Sequence, residues 1–295
     1  MKLYTINAGH FKLDGGAMFG VVPKSIWNKL NPADENNMCS WAMRCLLIED
    51  GNRLILVDNG MGDKQDEKFF GYYYLHGDDT LDKSLAAHGF RRDDITDVFL
   101  THLHFDHCGG SIVRQHDKLA PAFKNAVYWS NTAHWDWAVN PNGREKASFL
   151  KENILPIEES GQLKLIKHPR EADNTNEKIA PPHALPKTGF TEDISVLFVN
   201  GHTESMMLPF IAFKDKRIVF MADLLPSVAH LPIPYVMAYD TRPLNTLMEK
   251  EIFLKEALKE DYVLFFEHDP VNECCTLKQT ERGIRAAELF RLEDI

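Results

Sequence analysis

Short apolar runs, each closed by glycine, asparagine or aspartate, recur along the chain and predict buried strands. They are Lys2–Asn7, Trp41–Asp50, Arg53–Gly60, Asp97–His104 and Asn125–Ser130, followed by Leu163–Lys167, Ile194–His202, Arg217–Leu224 and Tyr262–Asp269. The stretch LLIEDGNRLIL, Leu46–Leu56, carries an Asp-Gly pair that signals a tight hairpin. Helical spacing of apolar positions appears in Asp82–Phe90, which ends at a glycine, and in Pro243–Asp261, which opens on a proline. A third helix is expected over Thr276–Leu292, where Thr276 and Gln279 have the spacing of a capping box. Two βα-type halves emerge, roughly 1–125 and 190–295, around a polar, proline-punctuated surface excursion at 167–193. The expectation is a single domain, 1–295, with two packed sheets and helices outside them.

Composition narrows the class. Of 295 residues, 44% are apolar and 26% charged, as in an ordinary soluble globular protein. No apolar stretch approaches the length of a membrane span. The opening residues, MKLYTINAGHFKLDGG, alternate polar and apolar and have no hydrophobic signal region, so a cytoplasmic protein is expected. The formal net charge of −10, with no basic run longer than Arg91–Arg92, argues against a nucleic-acid partner. Five cysteines without framework spacing suit reduced thiols.

Candidate chemistry concentrates in THLHFDHCGG, Thr101–Gly110. His102 and His104, two apart at a strand end, point to the same side in extended geometry and can reach one ion. Chain reversal beyond them brings Asp106 and His107 to the adjacent space. Gly109 and Gly110 allow a tight turn where larger side chains would obstruct it. One short loop can thus supply donors to two neighbouring metals.

The HLHFDH segment resembles the His-x-His-x-Asp-His motif of the metallo-β-lactamase superfamily, and the resemblance runs from the VDNG strand to His268. It implies an αββα sandwich of two mixed β-sheets flanked by helices, with the metal site at the sheet edges. His202 in NGHTES, Asp223 in FMADLLP and His268 in FFEHDP take the remaining ligand positions of the family. By this resemblance His102, His104 and His202 hold one divalent metal ion, and Asp106, His107 and His268 a second, with Asp223 touching both. Zinc is the default metal, and iron, manganese or cobalt accept the same donors. Two such ions share a water, acidify it, and polarise the scissile bond. Asp106 would orient that nucleophile or protonate the leaving group. Asp58 either orients a ligating histidine or stabilises a turn.

The layout is similar to the branch of N-acyl homoserine lactonases and methyl-parathion-type hydrolases, which implies a lactonase acting on a small-molecule ester. Phosphotriester, other ester and glyoxalase II-like thioester hydrolysis use the same metals. Those lactonases often place a tyrosine three residues after the bridging aspartate; Pro226 stands there, and Tyr235 or Tyr239 could supply the phenol, with Tyr239 taken as the catalytic candidate. Apolar loops at Gly15–Trp27 and Lys68–Gly77 suggest a pocket wall or a subunit interface, and a homodimer could use both. Of the unassigned histidines, His230 is the one placed to approach the site.

Overall fold

The computed structural model describes residues 1–169 and 184–295. Its strands are β1 (Lys2–Asp14), β2 (Met38–Asp50), β3 (Arg53–Val57), β4 (Asp97–Phe99), β5 (Ile112–Gln115), β6 (Lys118–Pro121), β7 (Val127–Asn131) and β8 (Leu163–Ile166), then β9 (Lys187–Gly189), β10 (Ile194–Val199), β11 (Met206–Phe213), β12 (Lys216–Phe220), β13 (Val263–Phe265), β14 (Cys274–Thr280) and β15 (Gly283–Phe290). The helices are α1 (Gly15–Phe19), α2 (Lys24–Trp27), α3 (Glu67–Tyr73), α4 (Leu81–Ala87), α5 (Phe105–Cys108), α6 (Thr132–Val139), α7 (Lys151–Glu159) and α8 (Pro243–Lys259). Two compact units result. The first comprises 1–13, 40–165 and 295; the second comprises 14–39 and 166–294. The two halves expected from sequence differ from these in two respects: the first extends to 165 rather than about 125, and the excursion between β1 and β2 belongs with the second.

In the first unit the sheet runs β1-β2-β3-β4-β7-β8, and β5 and β6 form a separate hairpin. The β2–β3 hairpin closes at the expected Asp-Gly, with Asp50 opposite Arg53 and Gly51 at φ +58°. β3–β4 and β4–β7 are parallel, which makes the sheet mixed. Parallel neighbours align the ends of β3 and β4, so the loops that follow them emerge side by side. The core gathers Leu47, Leu56, Val98, Leu100, Tyr128 and Ile154, all essentially inaccessible to water. Thr80 caps α4, accepting a hydrogen bond from the Lys83 N–H, and Gly89 (φ +83°) follows its end.

The second unit has a seven-stranded mixed sheet in the order β15-β14-β13-β12-β11-β10-β9, with β12–β13 parallel. Helix α8 buries Phe253, Leu254 and Ala257 and lies against β14. The helix expected over Thr276–Leu292 is instead the β14–β15 hairpin. Thr280 Oγ1 donates to the Gly283 carbonyl at 2.7 Å, and Gly283 sits at φ +91°, a turn conformation that an uninterrupted helix excludes. Pairing of Cys274 and Cys275 with β13 outweighs the helix-forming residues of the segment. The aromatics of Gly15–Trp27 are not exposed: Phe19 and Trp27 are buried and stack at 5.4 Å, leaving Val21 outermost. Most of the 167–193 excursion lies outside the described residues. No helix among those described is long and apolar enough to cross a membrane.

Candidate functional site

The expected ligands divide between the two units, four in the first and three in the second. In the first, β4 ends at Phe99 and the chain continues extended through His102 and His104 into the single turn of α5, which carries Asp106 and His107. All four are buried. Donor atoms of His102 and His104 lie within 4.8 Å of one another, as do those of Asp106 and His107. The His102 and His107 rings are 3.9 Å apart, so the loop does bring its imidazoles together.

Asp58 holds this loop from beneath. It follows β3 in left-handed backbone (φ +55°), accepts from Thr101 N–H at 2.8 Å and Thr101 Oγ1 at 2.6 Å, and lies 3.1 Å from His107 Nδ1. With Nδ1–H directed at a carboxylate, Nε2 of His107 is the nitrogen left for a metal. His134 Nε2 accepts from the Leu103 N–H at 2.8 Å, which fixes the backbone between His102 and His104. Glu145, buried at the end of a Trp137–Asn142 hydrogen-bond pair, lies 3.6 Å from His104 Nε2. The glycines act through close approach: a Cβ on Gly109 or Gly110 would strike the carbonyls of Met61 or Asn59. Lys64 Nζ donates to the Gly109 carbonyl at 2.5 Å, and burial lowers its pKa to about 8. Phe69 and Tyr73 of α3 pack on Phe105, at 5.3 and 4.7 Å. Burial first, and then the nearby Asp106 charge, push the Tyr73 phenol up to about 12.

In the second unit, His202 and His268 follow β10 and β13, and Asp223 follows β12. One Asp223 oxygen lies 3.0 Å from His202 Nε2 and the other 3.2 Å from His268 Nε2. A carboxylate that turns one oxygen to each of two imidazoles is arranged to bridge two cations. Ala222, immediately before it, is held at φ +39°, where alanine is strained. Asp240 meets the other nitrogen of His202, Nδ1, at 2.8 Å. Burial opposes charge on this ring, but Asp223 and Asp240 outweigh it and raise its pKa to about 10. Such a buried, carboxylate-lined position demands positive charge, and imidazole–carboxylate donors suit zinc-type divalent ions. The residues therefore fit a metal.

Further supports in this unit were invisible to sequence patterns. Glu249 of α8 accepts from the N–H groups of Asn200 and Gly201 at 2.7 and 2.9 Å, anchoring the loop that presents His202. Burial pushes its carboxyl up to about 7 against those hydrogen bonds. A Cβ on Gly201 would collide with Thr246 of the same helix. His230 does come close enough to feel the charges of Asp223 and His268, but its nitrogens are engaged, Nδ1 with Ser227 Oγ and Nε2 with the Met18 carbonyl, and it stacks on Phe19. Tyr239 is 38% exposed and directly precedes Asp240. The carbonyl of Pro226 accepts from the His268 N–H at 3.1 Å.

Comparison with known proteins places the chain among metal-dependent hydrolases by sequence model and fold. A probable metal-dependent hydrolase from Staphylococcus aureus superposes with a TM-score of 0.84 at 26% identity, over 98% of this chain and 97% of that one. AidC, a dizinc quorum-quenching lactonase in complex with a hexanoyl-homoserine product, superposes with a TM-score of 0.73 at 22% identity, over 98% and 95%. An N-acyl homoserine lactonase of Bacillus thuringiensis is 28% identical over 165 residues, 52% of this chain and 56% of the relative, so the match spans about half that protein's length. The sequence model of the metallo-beta-lactamase superfamily matches residues 44–268, a stretch that begins in β2 and ends on the last histidine of the set. With two mixed sheets, a His-x-His-x-Asp-His loop and later His, Asp and His donors at strand ends, the chain belongs to the metallo-beta-lactamase superfamily.

Proposed function

We propose that the protein is a dinuclear-metal hydrolase that opens lactones of the N-acyl homoserine type, with both units acting as one hydrolase domain. The observation that carries this reading is Asp223, whose two oxygens face His202 and His268 separately. His102, His104 and His202 would hold one ion, Asp106, His107 and His268 the other, with Asp223 shared between them. Zinc or a similar divalent ion would supply Lewis acidity and an acidified water there. The chain's own residues then have defined tasks. Asp58 and Asp240 orient His107 and His202 through Nδ1, and Asp106 carries a proton between nucleophile and leaving alkoxide. Tyr239 offers a phenol to the substrate carbonyl. The Phe69–Tyr73–Phe105 cluster provides an apolar wall beside Asp106 for an acyl chain. The lactonase relatives support the choice of a lactone over a phosphotriester or thioester.

The test is a turnover panel of acyl homoserine lactones, paraoxon-like triesters and S-lactoylglutathione on protein of measured metal content. Acyl homoserine lactones are expected to give the highest kcat/KM. His104→Ala and Asp223→Ala should each abolish turnover and lower bound metal, whereas Tyr239→Phe should cut kcat about 10- to 100-fold with metal retained. Full metal content and wild-type rates in both ligand variants would refute the site, and faster triester turnover would replace the substrate.

A further inference from the structure

The second unit contains a cavity of about 540 Å³ whose chemistry is unlike that of the metal ligands. Its apolar lining comes from Val228, Leu231 and Pro232 on one side and Pro270 and Val271 on the other. Arg282 and Arg285, from the turn and second strand of the β14–β15 hairpin, complete it. In a chain with 43 acidic against 33 basic residues, surface arginines readily find carboxylates. Among the described residues, neither of these forms an ion pair: Arg285 donates only to the Ile284 carbonyl, and the Arg282 hydrogen bond is made by its backbone N–H.

The one acidic group in the lining does not neutralise them. The Asp269 carboxylate is buried and accepts from the N–H groups of Val228, Val271 and Asn272 at 3.0, 2.9 and 2.7 Å. Those bonds tie the two apolar walls together. Lys250 braces one wall from behind, its Nζ lying 3.1, 3.4 and 2.7 Å from the carbonyls of Pro232, Ile233 and Tyr235. The site is thus an open groove of small-molecule size, apolar along its walls and cationic at one edge.

We propose that this cavity binds a monoanionic amphiphile, a carboxylate head with an unbranched alkyl tail, distinct from the substrate of the metal centre. The carboxylate would accept charge-assisted hydrogen bonds from Arg282 and Arg285, and the tail would lie along Pro232, Pro270 and Val271. A neutral alkyl alcohol lacks the first interaction, and a short anion lacks the second. The inference is independent of the proposed lactonase activity, because none of the lining residues is a candidate metal ligand.

Decanoate, decanol and acetate are the probes, measured by titration calorimetry on full-length protein with known metal content. Decanoate should bind one per chain, and decanol and acetate at least about tenfold more weakly. Arg282→Ala combined with Arg285→Ala should weaken decanoate by at least about tenfold while leaving metal content, melting temperature and ester turnover unchanged. A second variant, Ala286→Trp, fills the cavity with the arginines in place and should also lose decanoate. Equal binding of decanol and decanoate overturns the proposal. So does decanoate binding that survives both variants but disappears on chelation, which would place the carboxylate at the metal centre.

Discussion

At Asp58 three demands meet in one side chain: it turns the backbone after β3, receives Thr101, and faces His107 Nδ1. Sequence alone left it between a turn-former and a partner of a ligating histidine, and the structure shows both the left-handed turn and a carboxylate 3.1 Å from His107 Nδ1. Asp58→Ala should weaken metal binding about 10- to 100-fold, because His107 loses the carboxylate that selects its tautomer. Competition with a chromogenic chelator measures this directly, and unchanged affinity would reduce Asp58 to a turn residue. The HLHFDH loop was legible because its donors are adjacent in the chain. Asp240, His134, Glu145 and Glu249 were not, because each acts on a group more than thirty residues away and no local pattern marks that pairing.

Among elements, strands with continuous apolar runs were readable, and so were α4 and α8 with their glycine and proline punctuation. Strand β11 was hidden, since Pro209 interrupts its apolar run although it pairs with Val196 in the interior of the sheet. The β14–β15 hairpin was misread for the opposite reason: alanine, glutamate, arginine and leucine favour a helix locally, while pairing with β13 decides otherwise. The α5 loop owes its path to backbone contact between Gly109–Gly110 and Asn59–Gly62. Gly109→Ala should therefore destabilise the fold by roughly 1–3 kcal/mol through overpacking and lower metal occupancy with it. Chemical denaturation monitored with metal analysis checks both, and a wild-type midpoint would show that the contact yields freely.

Stability is a property of the whole molecule, and Lys250 links it to pH. Burial lowers its pKa from 10.5 to about 7, against the pull of Asp240. Between those values the unfolded chain holds a proton that the folded chain has released, so this residue makes stability rise with pH over about 7 to 10.5. Lys250→Met removes the linkage. The melting temperature of wild type relative to the variant should climb across that window, and a difference constant with pH would contradict it.

The path of the chain through its two units also bears on how the protein is made. Residues 14–39 precede the rest of their unit by a long stretch of chain, yet Phe19 stacks on His230 and the Ala17 carbonyl accepts from Ala238 N–H. More than two hundred residues must be synthesised before that partner exists, as the span from Phe19 to His230 requires. During that interval the apolar side chains of α1 and α2 lack these partners, and such non-local contacts are slow to form. Completion of the second unit therefore waits on residues near 230, whatever the first has already completed.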